Sequence, residues 1–295
     1  MRAVSVIVPS YNSYLTIGRT LESILNQNNR AINEIIVVDS SDDGLSREVI
    51  SQYHERVQLI PLINRVSPAQ ARNLGAERAK GEILVFVDSD VVLSDGWIDK
   101  IIGAYENGKI IGCGGIILDE TQANNWLAIG QYLLQFNEYV AQGKDRQKKF
   151  VPSCNLYCSK EIFEKAGGFP EIRASEDVLF CLKAGKYSDI WFIPEAKVKH
   201  IFRESWTGYF KNQIVLGKYI LIYRRRESKG KFYYLWLWPL FLLPVIIMFK
   251  FCRIVLRILR SRPIYILKFI YSLPVFLAGL LFWGIGFTQG VFTDE

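Results

Sequence analysis

The sequence predicts an α/β fold, a parallel sheet with helices on its faces, followed by C-terminal membrane helices. Short β-branched apolar runs alternate with helical patterns through about the first hundred residues, as chains that build such sheets do. Several of those runs end in acidic or small polar residues, which would line one edge of the sheet. Two uncharged stretches, Phe232 to Phe249 and Phe269 to Phe287, lie in the last third of the chain. Each is about the length of a helix that crosses a bilayer.

Ala3-Val-Ser-Val-Ile-Val8 reads as a buried strand ending in Pro9-Ser10-Tyr11-Asn12. A helix follows, with Leu15, Leu21, Ile24 and Leu25 on one side. Glu34-Ile-Ile-Val-Val38 is the next strand and ends in Asp39-Ser-Ser-Asp-Asp43-Gly44. Another helix and a weaker strand, Val57 to Ile60, come next. Ser67 then caps a helix that has Pro68 at its first position and carries Arg72 and Asn73. It leads into Gly81-Glu-Ile-Leu-Val-Phe-Val87, a buried strand with Asp88-Ser-Asp90 at its carboxyl end. Ligands of open α/β sheets sit outside the carboxyl ends of strands. Two acids there suit a hard divalent cation and, through it, a diphosphate. Without that context an Asp-x-Asp is usually an ordinary polar loop.

In order and spacing these segments resemble the inverting family-2 glycosyltransferases of the GT-A fold, the Rossmann-like nucleotide-diphospho-sugar transferases. The resemblance runs from Val4 to about Tyr209. It rests on Val-Ile-Val-Pro-Ser-Tyr-Asn from Val6, Val-Val-Asp39-Ser-Ser-Asp-Asp43-Gly, Pro68-Ala-Gln-Ala-Arg72-Asn73-Leu-Gly75-Ala and Gly81 to Asp90. Gly167-Gly168-Phe169-Pro-Glu171, Glu176-Asp177 and His200 complete it. The resemblance implies that Asp39 contacts the nucleotide base, Asp88 the nucleotide-sugar region and Asp90 a metal. It also implies that His200 joins the metal or diphosphate, and that Asp177 is the general base. The loop after Asp39 is a residue shorter than in the family, which leaves Asp43 without an assigned role.

The chemistry asks for the same groups. A leaving diphosphate needs neutralising, which Mn2+ or Mg2+ does by bridging its oxygens. An attacking hydroxyl needs a carboxylate to take its proton. Glu176-Asp177 opens an apolar helical stretch; the ordinary reading is a charge favoured by the helix dipole. Neighbours there point in different directions, so only one faces an acceptor. His200, one of two histidines, reads as structural or as a ligand. Arg72 reads as a surface charge or as a donor contact. Pro9 and Tyr11 stand where the donor would lie, and an aromatic there packs or stacks on a base. Trp126 to Tyr139 reads as an amphipathic helix, part of the core or an acceptor-side wall.

Cysteines 113, 154, 158, 181 and 252 make no Cys-x-x-Cys pair and no evident zinc set. Nothing suggests a disulfide framework, which fits a reducing compartment. A strand begins at once, so no signal peptide is expected, and the catalytic part is predicted to be cytoplasmic. The expected division is 1–222 for the catalytic domain and 223–295 for the membrane-associated region. Within the latter, 232–249, interrupted by Pro239 and Pro244, would be interfacial or re-entrant. A basic amphipathic helix would cover 250–262, with Lys250, Arg253, Arg257, Arg260 and Arg262 on one stripe, and 264–287 would cross. A hairpin of two spans would put those cations on the far side, against the positive-inside rule. The net charge of +7 is assigned to anionic lipid rather than nucleic acid.

The sequence thus predicts a metal-dependent membrane glycosyltransferase that moves sugar from a nucleotide-diphosphate donor to a lipid-linked or membrane-proximal hydroxyl. A polyprenyl-phosphate sugar synthase, whose anionic acceptor needs no base, is the enzymatic alternative. A non-catalytic membrane scaffold that kept the fold is the other.

Overall fold

The computed structural model describes residues 2–27, 31–228, 241–261 and 263–293. The chain forms two compact units. One comprises Met1–Asp119 with Tyr139–Ile201, the other Glu120–Glu138 with Phe202–Glu295.

The first unit holds β1 (Val4–Ser10), β2 (Ile32–Asp39), β3 (Gln58–Pro61), β4 (Ile83–Val87) and β5 (Val91–Leu93). It continues with β6 (Ile111–Leu118), β7 (Arg146–Lys148), β8 (Asn155–Ser159) and β9 (Ile190–His200). Its helices are α1 (Ile17–Leu25), α2 (Leu45–Ser51), α3 (Pro68–Arg78), α4 (Trp97–Glu106), α6 (Lys160–Ala166) and α7 (Glu176–Ala184). The second unit holds α5 (Trp126–Phe136), α8 (Trp206–Ser228), α9 (Leu243–Leu259) and α10 (Pro263–Val291).

The strands lie in the order β3-β2-β1-β4-β8-β6-β9-β5, with β7 on β9. The first four are parallel, as the alternating pattern predicts. The rest is mixed: β8 is antiparallel to β4 and β6, β5 and β7 are antiparallel to β9, and β6 runs parallel to β9. The chain steps outward from β1 through β2 to β3, then returns to the other side of β1 with β4. That reversal is a topological switch point, where such sheets bind ligands. Every residue of β4 is buried, as a strand covered on both faces requires.

Asp88-Ser-Asp90 occupies the corner where the chain leaves β4 and enters β5. Val91 of β5 pairs with His200 of β9, and the Ile201 amide donates to the Asp90 carbonyl at 2.8 Å. Two acids one residue apart therefore belong to different strand environments. Ser67 caps α3 as predicted, with Gln70 completing a reciprocal capping box. Leu15, predicted on the apolar side of α1, precedes that helix and is exposed; Ile17 takes the buried place.

In the second unit α10 packs against α8, α5 and α9. Among the described residues it is the helix long and apolar enough to cross a membrane. The expected interfacial segment 232–249 falls partly outside the described residues. Its last part and the basic stretch form one helix, α9, with no boundary at 249; Arg262 lies outside the described residues.

Candidate functional site

The ends of β1 and β2 carry two loops that clasp each other. Asn12 takes a left-handed conformation (φ 48°). Its amide donates to Ser41 Oγ at 2.8 Å, and its own Oδ1 accepts from the Asp42 amide at 3.2 Å. Asp39, expected at the nucleobase, is fully buried beneath this clasp. Its Oδ1 accepts from Ser10 Oγ and Ser41 Oγ, both at 2.6 Å, and its Oδ2 from Arg47 Nε at 2.9 Å. A carboxylate supplied with that many donors holds the loop in shape. Tyr11 is half-buried on the first of these loops, its hydroxyl on Asp42 at 2.6 Å and the Arg65 guanidinium 4.1 Å from its ring centre. Pro9 lies within β1, paired with Val38.

Arg72, read as surface charge or donor contact, is buried. It donates to Asp88 Oδ1 at 2.6 Å and to Glu176 Oε1 at 2.8 Å, and so ties the end of β4 to the start of α7. Asn73 works beside it. Its side chain accepts from the Phe169 amide at 2.9 Å and donates to the Phe169 carbonyl at 2.8 Å. Gly168, at φ +66°, passes so close that a Cβ there would lie 2.8 Å from Asn73 Oδ1. The Phe169 ring packs on Phe86 of β4 at 5.0 Å and Phe180 of α7 at 4.8 Å. The Arg72-Asn73 and Gly-Gly-Phe motifs are thus one device, fixing α7 against β4.

That device sorts the two acids at the helix start. Glu176 is committed to Arg72. Asp177 is half-buried, with Oδ1 accepting from the Val178 amide at 2.8 Å. Burial, then the neighbouring Glu176, raise its pKa to about 7, against the pull of the Val178 amide and Arg72. A carboxyl poised near neutrality suits proton transfer.

His200 Nε2 stands 3.8 Å from Asp90 Oδ1. Ligand atoms sharing one divalent ion lie about 3–4 Å apart, so this carboxylate and imidazole fit Mn2+ or Mg2+. Among the described residues no group of three such side chains forms a closed cage. An ion here would complete its shell with diphosphate oxygens and water. Asp88 and Asp90 keep 30% and 35% of their side chains exposed. The structure therefore brings Asp88, Asp90, His200, Arg72, Glu176 and Asp177 to one edge of the sheet, with Tyr11 on the loop after β1.

Asn73 and Glu176 carry more of the geometry than the sequence suggests. The signal was present: Ala69, Arg72 and Ala76 share one side of α3 by spacing, so Arg72 is placed inside. Arg72→Lys keeps the charge but loses the fork that holds two carboxylates. One lost charge-assisted hydrogen bond costs about 1.5–3 kcal/mol. The urea midpoint is expected to fall, and kcat to fall more than donor KM rises; an unchanged midpoint would refute the bridging role.

This sheet order and corner site define the GT-A class of nucleotide-sugar folds. The Glycosyl transferase family 2 profile matches residues 5–167. An uncharacterized glycosyltransferase of Haemophilus influenzae is 33% identical over 237 residues, 78% of this chain and 91% of its own. The poly(ribitol-phosphate) beta-N-acetylglucosaminyltransferase TarP of Staphylococcus aureus is 32% identical over 203 residues, 68% of this chain and 52% of its own. The chain spans about half the length of several curated relatives it matches. The crystal structure of the mannosyltransferase PcManGT from Pyrobaculum calidifontis, in complex with GDP-Man and Mn2+, shares the fold. It superposes with a TM-score of 0.67 at 16% identity, over 100% of this chain and 88% of that one. The protein belongs to glycosyl transferase family 2.

Proposed function

We propose that the protein transfers a sugar, with inversion, from a nucleotide-diphosphate donor to a hydroxyl on a lipid-linked or membrane-proximal acceptor. The observation that carries this is the separation of roles at one sheet edge. Asp90 and His200 form a cation-ready pair, while Asp177, outside that pair, has a proton affinity near neutrality. The acceptor oxygen attacks the anomeric carbon as the bond to the diphosphate oxygen breaks. Asp177 takes the hydroxyl proton, and the nucleoside diphosphate leaves. Mn2+ or Mg2+, held by Asp90 and His200, supplies the charge that neutralises the leaving group when bound.

Tyr11 contacts the donor base in this reading, and Asp88 the nucleotide-sugar region. Asp39 and Arg72 act as positioning residues through the loops and carboxylates they hold. The family match and the glycosyltransferase relatives support an enzyme over a scaffold. The apolar helices of the second unit support membrane attachment, with the catalytic unit on the cytoplasmic face and the acceptor drawn from the membrane surface.

A donor screen tests the reading. UDP-GlcNAc, UDP-glucose and GDP-mannose are offered to the full chain with Mn2+, with Mg2+ or with chelator. At least one is expected to raise Tm and to be hydrolysed slowly, only with metal. Absence of both stabilisation and hydrolysis with all of these nucleotide sugars would refute it.

A further inference from the structure

The second unit is read above as the membrane attachment, and the way its helices align bears on how it attaches. The partners of α8 and α10 rise together along both helices. Tyr209 donates to the Val275 carbonyl at 3.1 Å, and Phe210 stacks on Phe282 at 3.9 Å. Further along, a Cβ on Gly286 would run into the Ile214 carbonyl, and one on Gly290 would lie 2.5 Å from the Lys218 carbonyl. The two helices are therefore parallel and in backbone contact, as small residues permit. The partners of α9 and α10 run the opposite way. Ile247 faces Gly284, Lys250 lies 3.8 Å from the Trp283 ring centre, and Phe251 lies against Phe276 and then Phe269.

This alignment carries cations along the later part of α10. Lys211 follows Phe210, which stacks on Phe282, deep within the 29-residue helix. Lys218 reaches the level of Gly290, Lys250 meets Trp283 from the other neighbour, and Arg253 follows Lys250 by three residues along α9. Were α10 to cross a bilayer, these four cations would lie at hydrocarbon depth or on the far side, where isolated charges are costly. Meanwhile α9 leaves Val245, Met248 and Leu256 exposed, and α10 leaves Leu267, Leu277 and Leu281 exposed. By helical spacing each set lies on one side of its helix. Exposed Lys211, Arg224, Arg253 and Arg260 accompany them.

We propose that α8, α9 and α10 form a one-leaflet anchor that lies in the plane of the membrane. The apolar stripes enter the acyl boundary and the cations meet anionic headgroups. No helix of the unit crosses. The partner surface is an anionic leaflet, and the proposal rests on the membrane reading above.

The full chain, with exposed Cys252 replaced by serine, is tested in two ways. It is floated with phosphatidylcholine vesicles, with and without phosphatidylglycerol. Single cysteines at Lys144, Ser261 and Thr293 are probed with an impermeant maleimide in intact and in lysed cells. Salt-sensitive flotation favouring phosphatidylglycerol is expected, with all three positions labelled alike: protected in intact cells and labelled after lysis. Opposite labelling of any position against Lys144→Cys overturns the in-plane anchor and leaves membrane attachment standing. Failure to float with either vesicle overturns the attachment reading, and the anchor with it.

Discussion

Asp177→Asn is expected to lower sugar transfer by about 10²–10⁴-fold, the usual worth of general-base assistance, with donor affinity little changed. Asparagine keeps the shape and the hydrogen bond from the Val178 amide but accepts no proton. The wild-type rate should rise with pH and level off above about 7, since burial and Glu176 raise the carboxyl to that value. The variant should lose that rise. Its loss of rate is not a loss of fold. The folded protein holds this proton more tightly than the unfolded chain, so stability declines as pH climbs from the ordinary aspartate value of 3.8 towards 7. Asparagine removes that penalty, and the variant should unfold no earlier than wild type at pH 8. Transfer near the wild-type rate, with the pH profile intact, would exclude Asp177 as the base. It would also favour an acceptor that is already an anion, as in the polyprenyl-phosphate synthases.

What was legible in the sequence was local. Ser67, Pro68 and Gln70 lie within one turn, so their capping geometry needs no distant partner. The run from Ile83 to Val87 is apolar throughout, which requires burial whatever its neighbours are. The carboxyl-end placement of Asp88 and Asp90 follows from those two facts.

The mixed half of the sheet was not legible, because pairing of β4 with β8 joins residues far apart in sequence that carry no mark of their mate. Asp39 shows the same limit at a single residue. Its motif is plain, but that it is buried on Ser10, Ser41 and Arg47 depends on two loops closing over it. The basic stripe is a third case. Its spacing was plain, yet Arg257 pairs with Glu138 at 2.8 Å, so not all of that face is left for lipid. The amphipathic pattern read over α5 was also incomplete. Leu127 to Leu134 is buried without interruption, because α10 covers a side that an isolated helix would expose.

Asp90→Ala is expected to remove metal-dependent turnover. The corner after β4 aims this carboxylate at His200 rather than at Arg72, which is occupied by Asp88 and Glu176. No cation among those contacts can therefore take over the neutralising of a diphosphate. Lewis-acid stabilisation is worth several kcal/mol, and each 1.36 kcal/mol is tenfold, so the loss should be on the order of 10³-fold or more. The fold should survive, because Asp90 holds β9 through its backbone carbonyl, which alanine retains. His200→Ala provides the contrast. With the carboxylate in place, the variant should need more Mn2+ for half-maximal rate while recovering much of that rate at saturation. An Asp90→Ala enzyme that stays fully active in the presence of a chelator would show that the leaving diphosphate is neutralised by protein cations. In that case Arg65, which already lies over the Tyr11 ring, would be the residue to remove next.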